Sequence, residues 1–162
     1  MRRRYVAIAV LVSLLLLGSV AAVPGGRALV VADAETGEQY MTIPVEEGTT
    51  VALEYMHSVE KTRVYDEYTV RGDHLEMTRM EFESFGWGLP SGANVTREDG
   101  VYVFDPPGNY TRVTVSPGDI AGHKLHVGAE TYDLVARTNG RSVHLYVTRR
   151  SAFGAATDQF NT

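Results

Sequence analysis

No cysteine occurs in the 162 residues. That excludes disulfide staples, thiolate metal sites, a cysteine nucleophile and a lipid-modified cysteine. Lysine is nearly as scarce, with only Lys61 and Lys124 present. The other basic residues are arginines, a balance that suits a salt-loving or GC-rich source. Positive charge is short overall. The formal net charge is −5, and setting aside Arg2, Arg3 and Arg4, which precede the part able to fold, leaves −8 for the remainder. Such a domain repels phosphate backbones, so nucleic acid is not an expected partner. The sequence shows no internal repeat, no low-complexity segment and, beyond its first 23 residues, no long helical period.

What is present first is an export signal. Arg2 to Arg4 precede an apolar run from Tyr5 to Val23, broken by Ser13, Gly18 and Ser19. At about 1.5 Å per residue such a run spans roughly the hydrocarbon core of a bilayer. The arginines favour a cytoplasmic N-terminus with the rest of the chain outside. Cleavage as a signal peptide is the rival reading, because Ser19-Val20-Ala21 and Val20-Ala21-Ala22 resemble cleavage sites, and the arginines resemble a twin-arginine signal. The length of the run favours a retained single-pass anchor, with secretion the outcome if it is cut. Residues 1–23 are thus read as anchor or signal helix, 24–27 as linker, 28–150 as an extracytoplasmic domain and 151–162 as a flexible tail.

From Ala28 onward the apolar residues recur with period two. Strands are predicted at 28–32, 39–43, 49–58, 63–70, 73–84, 100–104, 110–115, 123–127, 131–136 and 142–148. Turn residues separate them, and Asn139-Gly140 is the best hairpin signal. Regular short strands predict an all-β fold, an antiparallel β-sandwich or partly open barrel. In the central hairpin Val51, Leu53, Tyr55 and His57 share one face, as do Val64, Asp66, Tyr68 and Val70. The expected register places Val51 by Val70, Leu53 by Tyr68, Tyr55 by Asp66 and His57 by Val64, with Ser58 and Glu67 on the other face.

Two stretches gather chemistry: Tyr55-Met56-His57-Ser58-Val59-Glu60-Lys61-Thr62, and Ser84-Phe85-Gly86-Trp87-Gly88-Leu89-Pro90. His57-Ser58 with Glu60 or Glu67 invites a hydrolase reading. Adjacent strand residues point to opposite faces, however, and no Gly-x-Ser-x-Gly elbow is present. His57 is therefore expected to tie a strand end to its turn, and no enzyme activity is expected. His57, Glu60 and Glu67 joined by His74, His123, His126 or His144 offer metal-ligand atoms, but His123 and His126, three apart in a predicted strand, fall on opposite faces and no pair has His-x-x-x-His spacing, so no metal or other cofactor is expected. Phe82 and Phe85 read as core, and Trp87 as a core lid in preference to an exposed partner anchor, with Gly86 and Gly88 free to take positive φ before Pro90. Asn94 and Asn109 head glycosylation sequons, meaningful for an exported domain.

Tyr55-x-His57-Ser58-Val59-Glu60-Lys61-Thr62, Val64, Glu67 and Ser84-Phe85-Gly86-x-Gly88-Leu89-Pro90 together resemble the prokaryotic family called domain of unknown function eighteen-fifty. The resemblance is clear from about Leu29 to Pro90. It implies a small protein with an N-terminal hydrophobic segment, often encoded beside TRAP transporters of the TAXI kind, which pair a solute-binding protein with a membrane permease. The implied role is accessory to solute uptake, with the permease or the TAXI solute-binding protein as partner. The resemblance supplies no catalytic residues. The alternative is a free-standing extracytoplasmic ligand- or cation-binding module, with His57, Glu60 and Glu67 around a polar mouth.

Overall fold

The computed structural model describes residues 24–84 and 95–151. The apolar run, Phe85 to Pro90, Asn94 and the tail beyond Ser151 lie outside the described residues. Among the described residues no helix is long and apolar enough to cross a membrane. Residues 28–148 form one compact unit, and the described residues 24–27 with 149–151 belong to a second. The hydrophobic core lies within the first.

The chain is all-β, with β1 (Pro24–Asp33), β2 (Gln39–Val45), β3 (Thr50–Met56), β4 (Arg63–Arg71), β5 (His74–Phe82), β6 (Thr96–Glu98), β7 (Val101–Phe104), β8 (Asn109–Tyr110), β9 (Val113–Val115), β10 (Lys124–Val127), β11 (Glu130–Asp133) and β12 (Val143–Ser151). Among the described residues one short helix, α1 (Leu134–Thr138), interrupts them. The smaller sheet has the order β2-β1-β12-β9. The larger runs β11-β10-β3-β4-β5-β7-β6, with β8 beside β5. The pairings of the larger sheet are antiparallel. Leu29 and Val31 of β1, with Val143, Leu145 and Val147 of β12, join Val51, Leu53, Tyr68, Val70 and Leu125 of the larger sheet in one core. The arrangement is sandwich-like, as the period-two pattern implies.

β4 shows why the larger sheet has two distinct faces. Val64, Asp66, Tyr68 and Val70 are buried and alternate with half-buried residues, the signature of a strand with one face on a core. The β3–β4 register pairs Val51 with Tyr68, Leu53 with Asp66 and Tyr55 with Val64. It therefore differs from the expected register by two residues, which preserves every face assignment while moving each partner. The difference arises because Met56 closes the ladder with Arg63, leaving His57 to Thr62 as the loop. β5 then meets β4 through a bulge: Glu67 faces Arg79 while Tyr68 faces Met77, so Thr78 is the extra residue. Strict alternation from buried Leu75 would turn Arg79 and Glu81 inward. The bulge inverts the pattern, so Met80 and Phe82 pair with Asp66 and Val64 instead.

Four further differences from the sequence-based expectation are local. Residues 24–27, read as linker, already belong to β1. The strand predicted at 131–136 ends at Asp133, whose carboxylate accepts the Ala136 N–H at 3.0 Å and starts α1. Asn139-Gly140 has the expected positive φ, 55° and 71°, but it ends that helix, and β11 and β12 lie in different sheets. A C-terminal cap and a hairpin turn both demand left-handed backbone, so the dipeptide alone does not distinguish them. The short strand β6 had no signal strong enough to predict it.

Beyond α1 the chain is fixed by Asp33, which is only 2% exposed. Its carboxylate accepts the Glu35 and Thr36 N–H groups at 2.9 Å and the Tyr40 hydroxyl at 2.8 Å, and it pairs with Arg141. Arg141 and these donors hold its carboxyl well below the usual carboxylate range. One buried acid thereby ties the β1–β2 turn to the segment leading into β12.

The cap gives a direct test. Asn139→Ala keeps the β-carbon in left-handed backbone but removes the short amide whose local hydrogen bonding makes that backbone tolerable, and should cost about 1 kcal/mol, whereas Asn139→Gly should be neutral or stabilising. Denaturant midpoints followed by circular dichroism measure both. An equal loss for the two substitutions would contradict the cap.

Candidate functional site

The first chemistry-bearing stretch meets Ser84, the described residue of the second, at one end of the larger sheet. β3 ends at Met56, and the chain turns through His57 to Thr62 before β4 begins. The His57 N–H donates to the Thr62 carbonyl at 2.8 Å, and the Lys61 N–H returns to the His57 carbonyl at 3.0 Å. Lys61 takes φ 57° to close the loop. The His57 ring acts as an internal cap: its Nδ1 accepts the Val59 and Glu60 N–H groups at 3.3 and 3.2 Å. Thr62 Oγ1 then meets Ser84 Oγ at 2.9 Å, which joins the first stretch to the start of the second. Phe85, Gly86, Gly88 and Pro90 lie outside the described residues.

The structure separates other residues that the sequence grouped. Ser58 and Glu60 are exposed in the loop. Glu67 sits in the middle of β4, paired with Ala52 and Arg79, and its carboxylate accepts the Thr78 hydroxyl at 3.3 Å. His57, Glu60 and Glu67 therefore form no common mouth. Among the described residues no group of three or more His, Asp or Glu is placed to hold a metal ion. Asn109 is exposed in β8.

A polar cluster lies on the inward face behind the loop. Asp66 is 9% exposed, and its Oδ1 is buried with no hydrogen-bond partner. Burial pushes its carboxyl up to about 6, an effect that interaction with the Tyr55 hydroxyl partly offsets. Burial also raises the Tyr55 hydroxyl, with the Asp66 charge adding to it. The Tyr55 ring stacks on His123 with centroids 5.0 Å apart and planes 15° apart. Burial pulls the His123 imidazole below its ordinary value, and its Nδ1 is buried without a partner. An acid inside a Val-x-Asp-x-Tyr-x-Val alternation was the available sequence signal for this cluster. Asp66 lies outside both chemistry-bearing stretches, so their residue spacing did not point to it.

The outward face of the same strands carries a ladder of alternating charge. Lys124 Nζ lies 3.9 Å from Glu54, and Glu54 meets Arg63 Nε at 3.3 Å. Arg63 Nη1 reaches Glu81 at 3.2 Å, Glu81 meets Arg79 Nε at 2.8 Å, and Arg79 Nη2 meets Glu98 at 2.9 Å. These groups are half-exposed, so each pair contributes at most about 1 kcal/mol. At the loop end of this ladder a cleft of about 360 Å³ opens among Tyr55, Met56, Arg63, Ile120 and Lys124. The Met56 N–H donates to the Ala121 carbonyl at 2.8 Å, which holds the 120–122 turn beside β3. Ile120 is 73% exposed. It sits in a Pro-Gly-Asp-Ile turn that reads in sequence as an ordinary loop, so nothing marked it in advance.

The model of the family described as domain of unknown function (DUF1850) matches residues 51–134. The match spans β3 through the start of α1, and so contains the loop, Asp66 and the cleft. No curated protein matches the chain, and no solved structure matches it.

Asp66 supplies a pH test. Its folded-state value is raised, so the associated stability is fully present below the ordinary carboxylate value near 4 and is lost as pH rises through about 6. Asp66→Asn should therefore stabilise the protein by roughly 2–3 kcal/mol at pH 7.5 and change it little at pH 4. Urea denaturation at the two pH values measures this. A stabilisation independent of pH would contradict the buried-acid account.

Proposed function

This chain belongs to the family of the domain of unknown function DUF1850, and on that premise we propose that it is a non-catalytic, exported and membrane-anchored accessory domain of a TAXI-type TRAP solute-uptake transporter. The carrying observation is how the loop uses its polar groups. His57 Nδ1 is committed to the backbone of its own turn, and Thr62 to Ser84. Polar side chains spent on holding a loop shape support a contact surface rather than a nucleophile and its base. Val59, 68% exposed in this loop, is the apolar side chain it presents. The N-terminal apolar run with its arginines supports placement outside the cytoplasm, with the permease or the solute-binding protein as partner. The cleft favours a second reading, a free-standing ligand-binding module.

Deleting the gene should lower uptake of the transporter's solute while solute binding by the purified binding protein stays unchanged. Re-expression of the wild type should restore uptake, and Val59→Asp, present at normal level, should not. Unchanged uptake in cells with an active transporter would sink the accessory role and leave the binding module.

A further inference from the structure

The cleft at the end of β3 has the attributes of a small-molecule site. Its volume of about 360 Å³ lies within the roughly 300–1,000 Å³ typical of ligand pockets. Tyr55, Met56 and Ile120 supply an apolar wall, with Met56 39% and Ile120 73% exposed. A water-facing isoleucine beside a concave surface is a place where apolar ligand area can be buried.

The polar groups at its rim decide the charge of the ligand. Arg63 is held between Glu54 and Glu81 at 3.3 and 3.2 Å, and Arg63 and His126 both lie against Glu54 Oε2. Arg63 is the cation hydrogen-bonded to Glu54, and Lys124 pairs with the same carboxylate at longer range. The Lys124 ammonium stands 3.9 Å from Glu54, beyond hydrogen-bond reach, and is 53% exposed. Arg63 keeps guanidinium N–H groups beyond the two that Glu54 and Glu81 accept, and the Lys124 ammonium has donors to offer beside it. Lys124 is also one of only two lysines in an acidic chain, so the cleft places a positive group where most of the surface repels anions.

We propose that this cleft binds a small amphipathic monocarboxylate, its carboxylate on Lys124 and its apolar part against Met56 and Ile120. This assignment does not depend on the accessory role. A ligand can occupy the cleft whether or not the chain serves a transporter.

The test uses the full chain in lipid nanodiscs, with methionine methyl groups labelled with carbon-13, and follows the Met56 signal during titration with hexanoate. Empty nanodiscs correct for partitioning. The Met56 signal should shift saturably with hexanoate, and about tenfold more weakly with 1-hexanol or hexylammonium, because the first lacks the charge and the second reverses it. Lys124→Gln should weaken hexanoate by about tenfold, and Lys124→Arg should stay within about threefold of wild type. Ile120→Ser, at an exposed position that folding does not need, should weaken hexanoate as well. A shift that fails to saturate overturns the site. Equal affinity for hexanol, or a Lys124→Gln variant that binds like wild type, overturns the carboxylate assignment. Loss of transport on gene deletion bears on none of these outcomes, so the two readings fail separately.

Discussion

The register between β3 and β4 is the constraint on which the rest of this domain depends. Pairing Tyr55 with Val64 and Met56 with Arg63 decides, by strand alternation, that Val64, Asp66, Tyr68 and Val70 face the core. The same choice puts Glu54 and Arg63 outside, where they enter the charge ladder. A slip of one residue would bury Arg63 and Tyr65 and expose Val64 and Tyr68. The desolvation cost of a buried guanidinium, several kcal/mol even when relaxed, makes that alternative inaccessible. β5 can join this arrangement only through the bulge at Thr78. A defect in the ladder is therefore what keeps Phe82 inside and Arg79 outside.

The functional end of the sheet follows from that register. Closing the ladder at Met56 and Arg63 leaves His57 to Thr62 to turn the chain, too many residues for a tight hairpin. The His57 ring supplies the missing order by accepting two backbone N–H groups. The loop so formed brings Thr62 to Ser84. The cost at this end is Asp66, buried in a row of apolar neighbours with one oxygen unpartnered. Buried acids of this kind lower stability when ionised, and they persist where something other than stability is served.

Much of this was legible in the sequence, because period-two patterning reports burial directly. The all-β class, the positions of β1 to β5 and the inward set on β4 follow from it. So does the capping role of His57, since an extended backbone cannot bring His57 and Ser58 together. Other features were hidden for physical reasons. The register offset of two residues leaves the pattern unchanged, so no alternation rule detects it. Asn139-Gly140 encodes left-handed backbone and not the element that precedes it. The cleft is assembled from β3, β4 and the 120–122 turn, far apart in sequence, and a lone isoleucine in a turn carries no periodic signal.

The central claim is that the loop after β3 is anchored through Thr62 to Ser84, just beyond the end of β5. A double-mutant cycle on stability tests it most directly, with Thr62→Val, Ser84→Ala and the pair measured by urea denaturation. A half-buried hydroxyl pair at 2.9 Å should give a coupling of about 1 kcal/mol, the double mutant losing less than the two singles combined. Strict additivity would mean that the two side chains do not meet in solution, and the loop would have no anchor at Ser84.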